Sequence, residues 1–177
     1  MQNLKFKIAI ITVSDKGAAG QREDLSGPAI KEMLASLDAE IVAAEIIPDE
    51  RILIAERLIH HADKACCDLI LTTGGTGFSP RDVTPEATLE VIDRPVPGIP
   101  EAMRAASLGK TPMAMISRAA AGIRGRTLII NLPGSVKAVR ENLEVILPVL
   151  PHAIEILRGA GGECGNQSNG KKRGILK

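Results

Sequence analysis

The chain has 177 residues, with 22 Lys and Arg against 21 Asp and Glu, and two Phe but neither Trp nor Tyr. This length fits one domain with its own apolar core, and the net charge of +1 provides no broad positive surface for nucleic acid or membrane. The near absence of aromatic rings excludes the stacking surfaces of single-stranded nucleic-acid binders. We therefore expect no nucleic-acid partner, and any phosphate must be bound by a local site.

The three cysteines form neither a disulfide framework nor a zinc spacing, because Cys66 and Cys67 are adjacent and Cys164 lies in a polar terminal segment. The apolar stretch near the N-terminus continues into Ser14 without a cleavage-type site, and no stretch is apolar enough to span a bilayer. We expect a cytoplasmic protein with reduced thiols that is neither exported nor membrane-bound.

Apolar, β-branched runs alternate with helical patterns along the first half of the chain. The runs that predict strands are 6–13, 41–47 and 68–73, of which the first indicates a parallel strand buried on both faces. Helices are predicted to start near Ser26, with Leu37 on the apolar face, around Ile54, and at Thr84. Three such units predict a doubly wound, mostly parallel α/β sheet with helices on both faces.

The middle of the chain is less regular than the first half. A short helix is predicted over 101–108, after a proline-rich stretch. The apolar runs 113–117 and 127–131 predict a small antiparallel element at the edge of the sheet.

A long helix is predicted to begin after Ser135 and to run to about Leu157, with kinks at two internal prolines. The segment beyond it is rich in Gly, Asn, Ser and Lys, a composition typical of disordered chain. We therefore predict one domain over residues 1–159 and a disordered tail over 160–177.

Two glycine-containing loops follow predicted strands, at the edge where open α/β sheets bind ligands. Glycine amides can approach phosphate oxygens without hindrance from a Cβ atom. The loops consist of Thr73, Gly74, Gly75, Thr76 and Gly77, and of Asn131, Leu132, Pro133, Gly134 and Ser135. Neither is a Walker A loop or a dinucleotide fingerprint. The alternatives are a tight strand exit without a ligand for the first loop and a helix N-cap for the serine that ends the second.

Two aspartates lie near these loops. Asp49 follows the second strand directly and Asp82 lies just beyond the first glycine loop, so both could hold magnesium against a triphosphate. Each also has a structural alternative. Asp49 could cap the helix that follows it, and Asp82 could pair with Arg81 or support the turn at Thr84.

Basic and sulfur-containing side chains carry weaker signals. Lys16 and Lys137 lie beside loops and could neutralise phosphate, although solvated surface lysines have the same pattern. The adjacent histidines at 60–61 are assigned no catalytic role, because they are too close together to bind a metal facing one way. The cysteines at 66–67 are expected to be small buried hydrophobic residues.

Taken together, the blocks 71–77, 81–88 and 131–135 resemble the MogA-type molybdopterin adenylyltransferases, a family that includes MoaB and the gephyrin G domain. The resemblance spans roughly residues 5–158. One departure is Val136, where many relatives carry proline, and it concerns the stiffness of the second loop more than its chemistry.

The resemblance implies transfer of the adenylyl group of magnesium-bound ATP to the terminal phosphate of molybdopterin, with release of pyrophosphate. It implies that Asp49 and Asp82 hold the magnesium and are catalytic. Ser14, Asp15, Lys137 and the two glycine loops would bind nucleotide and pterin. It also implies a homotrimer that hands its product to a molybdate-insertion protein.

A catalytically silent pterin-binding or scaffold domain of the same family is the alternative, and the retained Asp49 and Asp82 argue against it. The sequence does not distinguish a MogA-type from a MoaB-type enzyme, nor molybdenum from tungsten as the eventual metal.

Overall fold

The computed structural model describes residues 5–159, so the predicted tail over 160–177 lies outside the described residues. The described chain contains six strands, which pair into one sheet. In chain order they are β1 (Phe6–Val13), β2 (Ala39–Ile47), β3 (Leu69–Thr73), β4 (Arg94–Pro95), β5 (Ala121–Arg124) and β6 (Thr127–Leu132).

Seven α-helices in the described chain connect and flank these strands. They are α1 (Asp15–Ala18), α2 (Ser26–Met33), α3 (Arg51–Ile59), α4 (Thr84–Val91), α5 (Gly98–Leu108), α6 (Val136–Ile146) and α7 (Leu150–Arg158). Helix α3 continues as a π-helical turn over His60–Lys64. Short 3-10 helices occupy Leu34–Ser36, Pro112–Ile116 and Leu147–Val149. In the part of the chain that the structure describes, no helix is both long and apolar enough to cross a membrane.

The strands lie in the order β2, β1, β3, β6, β5, β4. The first four are parallel, whereas β5 pairs antiparallel with β6 and with β4. The chain moves outward from β1 to β2 and then crosses back to β3, so the connections diverge at β1 and β3. The predicted fold class is confirmed: a doubly wound, mostly parallel sheet with a small antiparallel edge.

Alternation of side chains along the strands divides the core into two layers. In β1, Ile8 and Ile10 pack on one face with α2, α6 and α7, whereas Ala9 and Ile11 pack on the other with α3 and α4. The predicted apolar stripe on the last helical segment is buried in the first layer: Val139, Leu143, Ile146, Leu150 and Ile154.

The prediction of a strand over 113–117 is wrong. Thr111 caps a 3-10 helix over Pro112–Ile116, and its side chain accepts a hydrogen bond from the Met113 amide. Met113 and Met115 are exposed, so this run has no buried face that a sheet could use. The antiparallel partner of β6 is β5 instead, which contains only one large apolar residue and therefore gave no clear strand pattern.

Three helix boundaries also differ from the predicted ones. Helix α2 ends at Met33, so Leu37 lies beyond a 3-10 turn and outside the helix. Helix α5 begins three residues early, at Gly98, because Pro97 and Pro100 are tolerated in a first turn. The prolines of the last segment do more than kink it: they replace α-helix with a 3-10 turn between α6 and α7.

Candidate active site

The carboxyl ends of the four parallel strands are aligned at one edge of the sheet. In the parallel registers Val13 lies opposite Ile47, Thr12 opposite Thr73, and Thr73 opposite Leu132. The loops that follow these strands therefore start side by side, and the candidate residues singled out in the sequence lie in these loops or in the strand ends and helix starts that flank them. This is the position of ligand crevices in open α/β sheets.

A cavity of about 610 Å³ opens between these loops. Eight of the predicted residues line it: Ser14, Asp49, Thr73, Gly74, Gly75, Asp82, Gly134 and Ser135. The structure thus brings both aspartates and parts of both glycine loops to one cavity. The other predicted residues do not line this cavity: Asp15, Thr76, Gly77, Asn131, Leu132, Pro133 and Lys137.

Asp49 is partly buried in the loop between β2 and α3. Its carboxylate Oδ2 accepts a hydrogen bond from the Asp15 amide at 2.8 Å. Burial raises the pKa of this carboxyl, and the negative charges of Asp15 and Asp82 act in the same direction. Helix α3 starts with Glu50 at its N-cap and without a side-chain cap, so Asp49 does not cap it.

Asp15 is held from two sides. Its Oδ1 accepts from the Asp49 amide at 3.0 Å, and both carboxylate oxygens accept from the Arg81 guanidinium at 2.9 and 3.0 Å. Arg81 also reaches Glu50 at 2.9 Å. The hydrogen bonds from Arg81 lower the pKa of Asp15. Arg81 therefore serves Asp15 and Glu50, not the neighbouring Asp82.

Asp82 closes the turn after the first glycine loop. Its Oδ2 accepts from the Ser79 amide at 2.9 Å, and its own amide donates to the Ser79 carbonyl at 2.9 Å. Its carboxylate does not bond to the Thr84 turn. Ser14 has a comparable local role, because its hydroxyl accepts from the Gly17 amide at 3.1 Å and caps α1.

The first glycine loop needs glycine for two reasons. Gly74 and Gly75 have φ of +100° and +61°, which side-chain-bearing residues rarely adopt. A Cβ atom on Gly74 would lie 2.2 Å from the Val13 carbonyl, and one on Gly75 would lie 2.3 Å from Thr84 Oγ1. Within residues 5–159 the Gly75 amide donates to no other group of the protein. That amide is therefore available to a ligand.

The second glycine loop packs against the first. Gly134 lies so close to Gly74 that an added Cβ would approach its Cα to 3.3 Å, and Thr73 Oγ1 donates to the Pro133 carbonyl at 2.7 Å. Ser135 caps α6, since its hydroxyl accepts from the Ala138 amide at 3.3 Å. The capping role and the cavity-lining position are thus compatible.

Asn131 and Leu132 are fully buried strand residues and do not line the cavity. The Asn131 side chain makes its hydrogen bonds within the protein. Its Oδ1 accepts from the Ala120 amide, and its Nδ2 donates to the hydroxyls of Thr72 and Thr88. The polar residue at the end of β6 is therefore satisfied by the protein itself.

Lys137 lines a second cavity of about 350 Å³ on the other side of the second loop. Arg104 and Lys110 line the same cavity, and Lys110 pairs with Glu141 at 3.4 Å. Ser135 lines both cavities, so they adjoin at the start of α6. Lys16 lies on α1 and lines neither cavity.

Sequence reasoning missed several residues that line the main cavity. Asp24 is one: its Oδ2 accepts from Thr12 Oγ1 at 2.7 Å, and its Oδ1 accepts from the amides of Ser26 and Gly27. An aspartate two residues before a Ser-Gly-Pro helix start is a capping signal that could have pointed to it. Arg22 also lines the cavity, from a loop without a sequence pattern.

The charge of the cavity is unbalanced. Its lining contains four acidic residues, Glu23, Asp24, Asp49 and Asp82, and Arg22 is its one basic residue among those that the structure describes. An anionic ligand in this cavity would therefore need a cation, free amides or helix N-termini to offset the carboxylates.

Residues 9–152 match the family model described as a probable molybdopterin binding domain. The chain is 46% identical over 154 residues to a molybdopterin adenylyltransferase of Helicobacter pylori J99, with coverage of 86% of this chain and 88% of that protein. The solved structure of the molybdopterin biosynthesis enzyme MoaB from Thermus thermophilus is 56% identical, with a TM-score of 0.83 and coverage of 87% and 97%. The tungsten cofactor synthesizing protein MoaB from Pyrococcus furiosus is 40% identical, with a TM-score of 0.80 and coverage of 87% and 98%. The chain therefore belongs to the probable molybdopterin binding domain family, as its sequence blocks predicted.

Proposed function

We propose that the chain is a molybdopterin adenylyltransferase, a nucleotidyltransferase of molybdenum cofactor biosynthesis. It would transfer the adenylyl group of ATP to the terminal phosphate of molybdopterin and release pyrophosphate. The main support for this proposal is that Asp49 and Asp82 line one cavity together with glycines of both loops. Two relatives that are 46% and 40% identical to this chain are named molybdopterin adenylyltransferase, which supports the same activity.

Transfer of a phosphoryl-type group needs positioning and charge neutralisation more than a side-chain nucleophile. In this cavity the available Gly75 amide and the N-terminus of α6, at Ser135, are suited to phosphate oxygens. Arg22 adds one positive charge to the lining. These groups would hold the triphosphate so that the attacked phosphorus faces the second substrate.

The residues present fit a magnesium ion bound together with substrate phosphates. Within residues 5–159 no three acidic, histidine or cysteine side chains form a metal cluster, so the described part of the protein alone offers no complete cage. Magnesium is commonly held by one or two carboxylates plus phosphates, which Asp49 and Asp82 could supply. The buried Thr84 hydroxyl has no hydrogen-bond partner among the described residues. A Cβ atom on Gly75 would meet both this hydroxyl and Asp49 Oδ1, so the two oxygens lie on the same side of Gly75. When bound there, magnesium would neutralise the charge that develops on the transferred group.

The positively charged second cavity supports a role for Lys137 in substrate binding. Lys137, Lys110 and Arg104 surround it, and it adjoins the main cavity at Ser135. We propose that Lys137 contacts an anionic part of a substrate that extends from the main cavity. Asp15 would act indirectly, through Asp49.

The activity is tested by incubating the purified protein with molybdopterin and magnesium ATP and measuring pyrophosphate and adenylylated product. Asp49→Asn and Asp82→Asn should each lower kcat on the order of a hundredfold or more, because the neutral amide no longer stabilises the cation. Molybdopterin binding should persist in both variants. Near-normal pyrophosphate release by both at saturating ATP and magnesium would refute the proposed roles.

Asp93→Asn is the matched control for these substitutions. Asp93 also accepts a loop amide, that of Gly125 at 2.6 Å, but it does not line the main cavity. Its replacement should leave kcat within about twofold of the wild type, because surface changes away from a site have small effects. A scaffold domain would instead bind molybdopterin without turnover, in the wild type as in every variant.

We also propose that the protein is a cytoplasmic homotrimer that passes its product to a molybdate-insertion protein. The trimer and the hand-over rest on the family resemblance. The exposed apolar side chains of Met113, Met115 and Ile116 support an interface between copies. Analytical ultracentrifugation would test the trimer, and a sedimenting monomer at micromolar concentration would contradict it.

A further inference from the structure

Arg118 lies outside the lining of the main cavity, yet it makes four hydrogen bonds to the stretch that runs from the end of the first glycine loop into α4. Its backbone amide donates to the Thr76 carbonyl at 3.0 Å. In the side chain, Nε donates to the Gly77 carbonyl at 2.7 Å and Nη2 donates to the Asp82 carbonyl at 2.6 Å. The remaining nitrogen, Nη1, donates to the Glu86 carboxylate.

These contacts fix both ends of the turn over 76–82. Inside this turn, Ser79 and Asp82 bond to each other, which gives it a local shape but does not attach it to the sheet. The Thr84 amide donates to the Gly75 carbonyl at 3.1 Å, which closes the base of the turn without Arg118. Arg118 additionally binds the carbonyls of both Gly77 and Asp82, so the position of Asp82 within the turn depends on Arg118 more than that of Gly75 does.

We propose that Arg118 is a positioning residue that fixes the turn over 76–82, and with it the Asp82 carboxylate, at the edge of the main cavity. The proposal rests on the proposed function in so far as Asp82 takes part in the reaction. Arg118 acts through the turn and touches no substrate.

An ion pair with Glu86 alone does not account for this geometry. Two of the three side-chain hydrogen bonds of Arg118 go to backbone carbonyls that lie five residues apart in the sequence. A planar guanidinium can span several acceptors at once, which a lysine ammonium on a flexible stem does not reproduce. Exposed ion pairs contribute little, but charge-assisted bonds from a partly buried arginine to loop carbonyls restrain the loop itself.

The test compares Arg118→Gln with Arg118→Lys, which keeps the positive charge beside Glu86 and so preserves folding if the glutamine variant does not. Amide hydrogen exchange over 76–82 should become about tenfold faster or more in both variants, while β3 keeps its protection. The kcat should fall about tenfold or more, and half-saturation by magnesium should require several times more metal. The KM for ATP should change less than about threefold, because Gly74 and Gly75 keep their own attachments.

Arg124→Gln is the matched control, since Arg124 also donates to a backbone carbonyl, that of Val91, and to a carboxylate, that of Asp63, away from the main cavity. It should leave the exchange of the turn and the magnesium requirement unchanged. Wild-type exchange and magnesium requirement in Arg118→Lys would overturn the proposal.

The two proposals fail in different ways. If Asp82→Asn abolishes turnover while the Arg118 variants retain it with normal exchange, only the role of Arg118 is refuted. If the wild type does not adenylylate molybdopterin, the proposed function falls, and hydrogen exchange over 76–82 still decides whether Arg118 fixes the turn.

Discussion

Asp15 and Asp49 exchange hydrogen bonds from backbone amide to carboxylate in both directions, at 2.8 and 3.0 Å. The reciprocal pair joins the segments after β1 and β2, and Asp49 of this pair lines the main cavity. The two carboxyls differ in environment: hydrogen bonds from Arg81 lower the pKa of Asp15, whereas burial raises the pKa of Asp49. The cavity therefore contains an aspartate that ionises less readily than an ordinary carboxyl.

Replacement of the neighbouring charges should move the pKa of Asp49 in opposite directions. The charge of Asp15 raises this pKa and that of Arg81 lowers it. Asp15→Asn, whose amide oxygen can still accept from the Asp49 amide, should lower the pKa of Asp49. Arg81→Gln should raise it. An NMR titration of the Asp49 carboxyl in metal-free protein measures both, and shifts of the same sign would contradict the geometry.

Asp49→Asn should stabilise the protein at neutral pH while it removes activity. Because the folded-state pKa of Asp49 is raised, the folded protein binds its proton more tightly than the unfolded chain does. The contribution of this carboxyl to stability is therefore greatest below its unfolded pKa, near 3.8, and is lost as the pH rises through the folded value. Urea unfolding should show the variant more stable than wild type at pH 7, with the difference vanishing in acid. A variant that is less stable at pH 7 would contradict this.

Gly75→Ala and Gly125→Ala separate backbone strain from steric clash. Both glycines have positive φ, so both substitutions should cost about 1–2 kcal/mol for a left-handed backbone. A Cβ on Gly125 would meet no atom of residues 5–159 within 4 Å, whereas one on Gly75 would lie 2.3 Å from Thr84 Oγ1. Thermal unfolding should therefore show a larger loss for Gly75→Ala, and calorimetry should show weaker ATP binding only for that variant. Equal losses with equal ATP affinity would argue against a phosphate-binding loop.

Asn131→Leu should reduce stability without affecting substrate binding. The substitution leaves the partly buried Ala120 amide without its acceptor, at a cost of about 1–3 kcal/mol. The hydroxyls of Thr72 and Thr88 also lose the Asn131 amide as a donor. Urea unfolding and the KM for ATP measure the two effects. A raised KM for ATP at unchanged stability would indicate instead that Asn131 belongs to the substrate site.

Local sequence patterns predicted secondary structure correctly in segments whose own composition determines it. The β-branched run of β1 and the Thr84-Pro85 start of α4 were predicted correctly, because burial on both faces and a proline-compatible first turn leave direct traces in the sequence. The strand prediction over 113–117 was wrong, because an apolar run forms a strand only if one of its faces becomes buried. Met113 and Met115 are exposed to solvent instead.

The sequence by itself determined the doubly wound fold and the family, and it placed the candidate site at the carboxyl ends of the strands, because strands, glycine loops and aspartates follow one another in an order that is visible locally. Only the tertiary structure decided which of these residues share the cavity. In the folded protein the Asn131 side chain points into the core, Lys137 lines a second cavity, and Arg81 forms its ion pair with Asp15. The tertiary structure also brought Arg118 to Asp82, 36 residues away. Such pairings depend on the order and register of the strands, which long-range packing sets and no local pattern encodes.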